Sequence, residues 1–248
     1  MSSGAKIRLY ACEEAVLGTT PANPVWYTVR RVTDSLTENV TTEDSSEVVD
    51  SRFRQGAVVT EAEVTGQLEF ELSLGTFDLF LNVLAFNNWA ANALSFGGGV
   101  RKSLTLVKVF EDIGQVFIYR GIQVNTGEMT IQTTLTINFS NNLEAIRCIG
   151  SGKYTPEFYL EKMMDIGVNA NFMFSATSAS WIDAIKTRDV FTLTFDITDT
   201  KGSKYSFNFP QLEVKEANHP DGGGDDIITI DINFAQVRTS PTIVRALV

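Results

Sequence analysis

His219 is the only histidine of the chain. Any imidazole metal site or Ser-His-Asp triad would have to be built on the loop Asn218-His-Pro220, where no partner stands at a catalytic spacing. A solvated turn histidine is the better reading. Asp221-Gly-Gly-Gly-Asp-Asp226 has the carboxylates and glycines of a calcium loop, but not the alternating ligands and closing Glu of an EF-hand. It reads as a hairpin tip. Gly97-Gly-Gly99 lacks the Lys-Ser/Thr of a phosphate-binding loop and precedes a strand pattern rather than a helix, so it reads as a turn. Glu69 with Glu71, or Asp225 with Asp226, could supply paired carboxylates for acid-base work, yet solvated faces explain them better. Cys12 and Cys148 are too few to form a disulfide framework and do not match metal-ligand spacing, so both read as small buried hydrophobes. No residue is assigned a catalytic, cofactor-binding or metal-ligating role, and no cofactor or metal is expected.

The residues that stand out instead are apolar and alternate. In Phe191-Thr-Leu-Thr-Phe-Asp-Ile-Thr198 every second position is large and apolar, the period of a strand with one buried and one wet face. Asp199-Thr-Lys-Gly202 supplies a turn, and Tyr205, Phe207 and Phe209 resume the alternation, which predicts a β-hairpin ended or pushed to an edge by Pro210. Ile228-Thr-Ile-Asp-Ile-Asn-Phe234 alternates again. These aromatic residues read as core, because the basic groove of a base-stacking platform is missing.

Leu104 to Phe139 repeats this plan. Leu104-Thr-Leu106 matches Phe191-Thr-Leu193, Asp112-Ile-Gly114 stands in the place of the Asp199 to Gly202 turn, and Leu135-Thr-Ile-Asn-Phe139 matches Ile230-Asp-Ile-Asn-Phe234. Upstream, Leu68-Glu-Phe70 pairs with Phe172-Met-Phe174 and Thr76-Phe77 with Ser180-Trp181, each 104 positions apart and each followed by a short helical pattern. Thr76 is a candidate N-cap for a helix carrying Phe77, Phe80, Leu81 and Leu84, and a second helix is expected from Ser180 to Lys186. The resulting division is an N-terminal arm, 1–25; a first β domain, 26–147, opening on a strand from Trp26 to Val32; a joint at Gly150-Ser-Gly152; a second β domain, 152–238; and a C-terminal arm, 239–248. Asp34 to Gly56 is expected to be a long polar loop.

At 248 residues the chain can bury a sizeable core as one large domain or two small ones. Its 44% hydrophobic and 20% charged residues are those of an ordinary globular protein. No apolar run approaches the roughly 20 residues that cross a bilayer, no membrane partner is expected, and the amino terminus does not read as a signal peptide. Synthesis in a cytoplasm is the simplest expectation. A net charge of −10 argues against a sequence-reading DNA or RNA binder, which gains affinity by neutralising phosphates.

In order and spacing the chain resembles the major tail tube proteins of long-tailed, siphovirus-like bacteriophages. The resemblance is carried by Gly18-Thr-Thr-Pro21 after an extended arm and by the polar loop ending near Arg52-Phe-Arg54. It continues in Gly66-Gln-Leu-Glu-Phe-Glu-Leu72 before a short helix, and in the late sequence of strand, Asp-Thr-Lys-Gly turn, strand ending in Pro210, Gly/Asp-rich tip and Ile-Asn-Phe-Ala235. It implies an all-β fold with short helices, an antiparallel β-sandwich or partly closed barrel. It further implies a non-enzymatic virion protein, made in the host cytoplasm and assembled with itself into stacked rings. The hollow tail tube so formed delivers the genome, and DNA passes through its lumen without specific binding. Tape measure, tail terminator and distal tail proteins are the other implied partners. If the repeat is a true duplication, three chains close a ring of pseudo-sixfold shape; if not, six do. The rival reading is a β-sandwich capsid decoration or host-attachment module.

Overall fold

A computed structural model describes residues 4–44, 56–131, 134–147, 155–218 and 227–248. The expectations placed on Cys148, Gly150 to Gly152, Arg52 to Arg54, His219 and Asp221 to Asp226 lie outside the described residues. The strands are β1 (Ile7–Glu14), β2 (Tyr27–Thr28), β3 (Thr33–Asp34), β4 (Thr37–Asp44), β5 (Ala57–Thr65), β6 (Leu68–Glu69), β7 (Ala93–Ser95), β8 (Ser103–Phe110), β9 (Gln115–Ile122), β10 (Thr126–Ile131), β11 (Leu135–Ser140), β12 (Glu144–Ile146), β13 (Phe158–Leu160), β14 (Asp165–Met173), β15 (Val190–Thr198), β16 (Lys204–Ala217), β17 (Thr229–Gln236) and β18 (Thr242–Ala246). Two short helices, α1 (Asp78–Ala85) and α2 (Ala176–Thr187), interrupt them. Among the described residues all pairings are antiparallel and no sheet closes into a barrel, in keeping with the expected all-β fold.

The chain groups into two compact units that interleave in sequence. The first comprises Met1–Leu72, Lys102–Gln123 and Leu143–Leu160. Its main sheet runs β2-β1-β8-β9, with β1 paired to β8 from Ile7 opposite Phe110 to Glu14 opposite Ser103. Leu9, Ala11, Cys12, Leu104, Leu106 and Tyr119 form its buried centre. The expected arm therefore contains a core strand, because its backbone groups are paired along their whole length and its alternate side chains leave water. Trp26 to Val32 was expected to be the first full strand, but only Tyr27–Thr28 pairs there, and Trp26 and Tyr27 remain exposed. The stretch expected as a long loop forms a hairpin of β4 and β5. At its base Gly66 has φ +147°, and a Cβ there would come within 2.7 Å of the Leu36 backbone, so only glycine fits.

The second unit comprises Ser73–Arg101, Val124–Asn142 and Glu161–Val248. Its sheet runs β10-β11-β14-β17-β16-β18-β7, with β15 beside β16. Residues on one face alternate into the core: Ile137, Phe139, Ile166, Val168, Phe207, Phe209, Ile230, Ile232 and Ile243 are buried. Both helices add to that apolar side: Trp181 of α2 sits edge-on against Phe172 and Phe191, and Leu79, Val83 and Leu84 of α1 are buried. Helix α2 starts ahead of the expected Ser180 because Ser175 caps it, its hydroxyl accepting from the Ser178 N–H while the Ser178 hydroxyl accepts from the Ser175 N–H. Thr76 does not cap α1: Phe77 occupies that position without a side-chain hydrogen bond. The C-terminal segment, expected as an arm, supplies β18, which fills the space between β16 and β7. Pro210 does not end its strand; β16 runs on through a bulge at that position, where a missing N–H costs no ladder bond, and the Thr192 hydroxyl donates to the Pro210 carbonyl (3.0 Å).

Candidate functional site

Among the described residues no three His, Cys, Asp or Glu side chains converge as a metal site would require. Glu69 and Glu71 are both exposed, and Glu69 accepts a hydrogen bond from the Thr33 hydroxyl (3.1 Å). Gly97 and Gly99 have φ +73° and +71° in a turn that donates the Gly97 N–H to the Ala85 carbonyl. Cys12 is buried, and desolvation, the largest influence on it, raises its thiol pKa.

Three carboxylates, Glu14 buried and Asp34 and Asp78 partly so, were not legible in the sequence, because each is held by donors from distant elements. Glu14, at the end of β1, accepts from the Ser103 hydroxyl (2.6 Å), the Thr105 hydroxyl (2.7 Å), the Gly18 N–H (2.8 Å) and the Gly121 N–H (3.0 Å). Four donors satisfy it fully, leaving no lone pair directed at a substrate. Asp34 lies between Arg31 (2.9 Å) and Lys108. Asp78, at the start of α1, accepts from the Tyr205 hydroxyl and from Arg245, whose guanidinium also lies 4.4 Å over the Trp89 ring. Each cluster ties separate elements of one unit together, and none opens onto a reacting position. Their chemistry is structural.

What remains is surface. In the second unit the face of the large sheet opposite the helices is a field of short polar side chains. Thr136 stands opposite Asn169, Asn169 opposite Asn233, Asn171 opposite Asp231, Thr194 opposite Asn208 and Asp196 opposite Ser206. The amides bridge along it: Asn171 donates to Asp231 (2.7 Å) and Asn233 to Glu216 (3.1 Å). Glu128 and Asp165 add further negative charge. The two lysines on these strands are spent on neighbours, Lys204 on Asp196 (3.1 Å) and Lys215 on Glu213 (3.3 Å). Serine, threonine and asparagine bind water readily, and both lysines of this field are already ion-paired within the chain.

The first unit shows a different surface. Hairpin β4–β5 is exposed along every residue of β4, with Val40 and Val58 open to solvent. On β9 the consecutive Val116, Phe117 and Ile118 are all exposed, although such a strand ordinarily buries one face.

No helix among the described residues is long and apolar enough to cross a membrane. No match to the chain is found among curated proteins. A family model described as phage tail tube protein matches residues 4–134, more than half of the chain, across β1, the β4–β5 hairpin, α1 and the β8–β9 hairpin. An antiparallel β fold agrees with that match, and the chain belongs to the phage tail tube protein family.

Proposed function

We propose that the chain is the repeating unit of stacked rings that form a hollow tail tube, and that the polar face of the large sheet lines its lumen. The observation that carries this reading is that face itself. It is wide, hydrated and acidic, and its lysines are neutralised within the chain. DNA moving along such a wall meets bound water and repulsion rather than ion pairs, so each phosphate passes without a salt-dependent grip. The role is assembly and conduction, not catalysis. Tape measure, terminator and distal tail proteins meet the tube along its bore or at its ends, within a virion whose parts are made in the host cytoplasm.

Ring symmetry follows from the repeat. Hairpin β8–β9 shifts register between Leu104 and Leu106, and hairpin β15–β16 shifts between Phe191 and Leu193, which are the residues that match in the two halves of the sequence. A bulge is a specific local device, and its recurrence at one place supports two related hairpins per chain. Three chains then give six similar lobes. Other parts of the repeat have diverged in use, since β11 and β17, the two Ile-Asn-Phe strands, both flank β14. Electron microscopy of the purified protein tests both levels. Tubes with threefold end-on averages and six lobes are expected. Six identical chains per ring would remove the duplication and leave the tube intact, and a protein that forms no tube under any condition would remove the whole reading.

A further inference from the structure

The β4–β5 hairpin is joined to its unit through two interrupted strands. On one side β3 ends at Asp34 and β4 begins at Thr37; on the other β5 ends at Thr65 and β6 begins at Leu68, so both break at one level, residues 35–36 beside 66–67. Ser35 spans the break: its N–H donates to the Gln67 carbonyl (3.0 Å) and its hydroxyl accepts from the Gln67 N–H (2.9 Å). Below the break the root is fixed. The side chain of Asp34 is 1% exposed between Arg31 and Lys108, where salt screens little, and the Val32 N–H donates to the Glu69 carbonyl (2.8 Å). Above the break the hairpin is braced by Arg147, which follows β12 and pairs with two carboxylates of β5, Glu61 (2.6 Å) and Glu63 (3.3 Å). Strand β12 is itself paired to β13, and the Glu157 N–H donates to the Ile146 carbonyl (2.9 Å), which gives the guanidinium a firm footing. Tyr159 of β13 stands in the same group: burial first, and the Glu63 carboxylate second, raise its phenol pKa.

Magnitudes separate the root from the brace. The side chain of Arg147 is 39% exposed and those of Glu61 and Glu63 are 38% exposed each. An ion pair in that setting shifts an equilibrium by roughly 1.5- to 5-fold and weakens as salt rises. Such a brace holds a position without fixing it. We infer that the β4–β5 hairpin is a lever hinged at residues 35–36 and 66–67, and that Arg147 is the catch that holds it against its own unit until the chain assembles. Gly66 gives the hinge a residue without a side chain, whose backbone turns more freely than any other. The swing uncovers little, because β4 is already exposed along its length; the flank it frees is that of β5, where Glu61, Ala62, Glu63 and Val64 are half-buried. A hairpin folded against its own unit is withheld from a second copy, so the catch acts as a brake on assembly. The brake rests on the tube reading; the hinge and the catch stand without it.

Spin labels on the unassembled chain test it, in a Cys148→Ser background with the buried Cys12 left in place. One label is carried by Thr42→Cys on β4 and the other by Gln115→Cys at the start of β9, both exposed positions of the first unit. Double electron–electron resonance at low salt is expected to show one dominant distance. A second distance should gain roughly 2- to 10-fold in population with Arg147→Ala, and equally with Glu61→Gln and Glu63→Gln together. Salt of about 1 M, where the screening length falls to about 3 Å, should produce the same gain in the parent chain and little more in the variants. Near-ultraviolet circular dichroism should stay unchanged, since the root around Asp34 is untouched, and the released variants should form tubes after a shorter lag. Distances that neither the substitutions nor salt alter would overturn the catch. So would a change with Arg147→Ala that the glutamate substitutions do not reproduce, because the arginine stem and not its ion pairs would then set the angle. Released variants that assemble no faster would overturn the brake. A chain that forms no tube under any condition, yet whose distances respond as expected, would remove the tube reading and leave the hinge and catch.

Discussion

Tyr205 is a core residue with a polar end that the fold had to provide for. Its ring stacks beside Trp89, with centroids 6.1 Å apart, and its hydroxyl donates to Asp78 while accepting from the Gly75 N–H (2.8 Å). Desolvation, the largest influence, and the bond to the Asp78 carboxylate both raise its pKa well above the ordinary phenol value. The unfolded phenol loses its proton near pH 10, where the folded one still holds it. The stability tied to this phenol is therefore fully present below about pH 10 and falls by about 1.4 kcal/mol per pH unit above it, until the folded phenol titrates. Tyr205→Phe should cost about 1–3 kcal/mol at neutral pH, through the bonds lost to Asp78 and Gly75. It should also lose less stability than the parent protein between pH 9 and pH 11. Denaturant unfolding across that range measures both, and parallel alkaline declines in the two proteins would refute the assignment. The sequence marks Tyr205 as an inward strand residue by alternation alone. It cannot announce Asp78 or Arg245, because strand order and helix placement bring those together.

Strand β1 shows how an element can be misjudged from its own residues. Ile7-Arg-Leu-Tyr-Ala-Cys-Glu-Glu14 has a weak apolar alternation and ends in two carboxylates, which suggests an arm in which Ile7 to Tyr10 could form only a short strand. In the fold, full pairing to β8 satisfies its backbone, Leu9, Ala11 and Cys12 are buried, and Glu14 gathers four donors, including the N–H of Gly121 in the β9 bulge. Removal of residues 1–14 should therefore unfold the first unit rather than yield a folded, assembly-incompetent body. It exposes the apolar edge of β8 and leaves the donors around Glu14 without an acceptor, at about 1–3 kcal/mol for each buried group. Circular dichroism and proteolysis of the truncated chain check this, and a compact, protease-resistant product would show β1 to be dispensable. The hairpins, by contrast, were legible: alternation around the Asp199 to Gly202 turn places β15–β16, and the repeat of that plan around Asp112-Ile-Gly114 places β8–β9, without help from tertiary contacts. The β4–β5 hairpin was not, since its polar residues carry no buried face to reveal a period.

Part of the net charge of −10 has a definite place in the fold. Carboxylates and amides share the open face of the large sheet, and the lysines there are already paired. Assembled protein should therefore not retain duplex DNA at about 0.1 M salt, where screening has already shortened electrostatic reach to roughly 10 Å. Lys or Arg introduced at Asn169, Asn233 and Asn208 together should create retention that falls as salt rises, the signature of phosphate contacts. Filter binding or co-sedimentation of tubes with DNA reads this directly. Tight binding by the unaltered tube would contradict a lumen at this face.

The amino-acid sequence by itself determined what depends on local periodicity and chemistry. It specified antiparallel β structure, two short helices, the turns at Asp199 to Gly202 and Gly97 to Gly99, the absence of a recognisable catalytic motif, and the family resemblance carried by the order of those pieces. Tertiary structure decided what depends on which distant segments meet. Both chain ends became sheet strands because β8 and β16 had free edges beside them, Pro210 was absorbed into a bulge, and the Ile-Asn-Phe strands came to flank β14. It also decided which faces stay bare. Exposure is a property of missing neighbours, and alternation specifies two faces for a strand without saying which strands will stand beside it. Phe117 and Phe207 occupy matching places in matching hairpins, and only the presence or absence of β18 makes one of them core and the other surface.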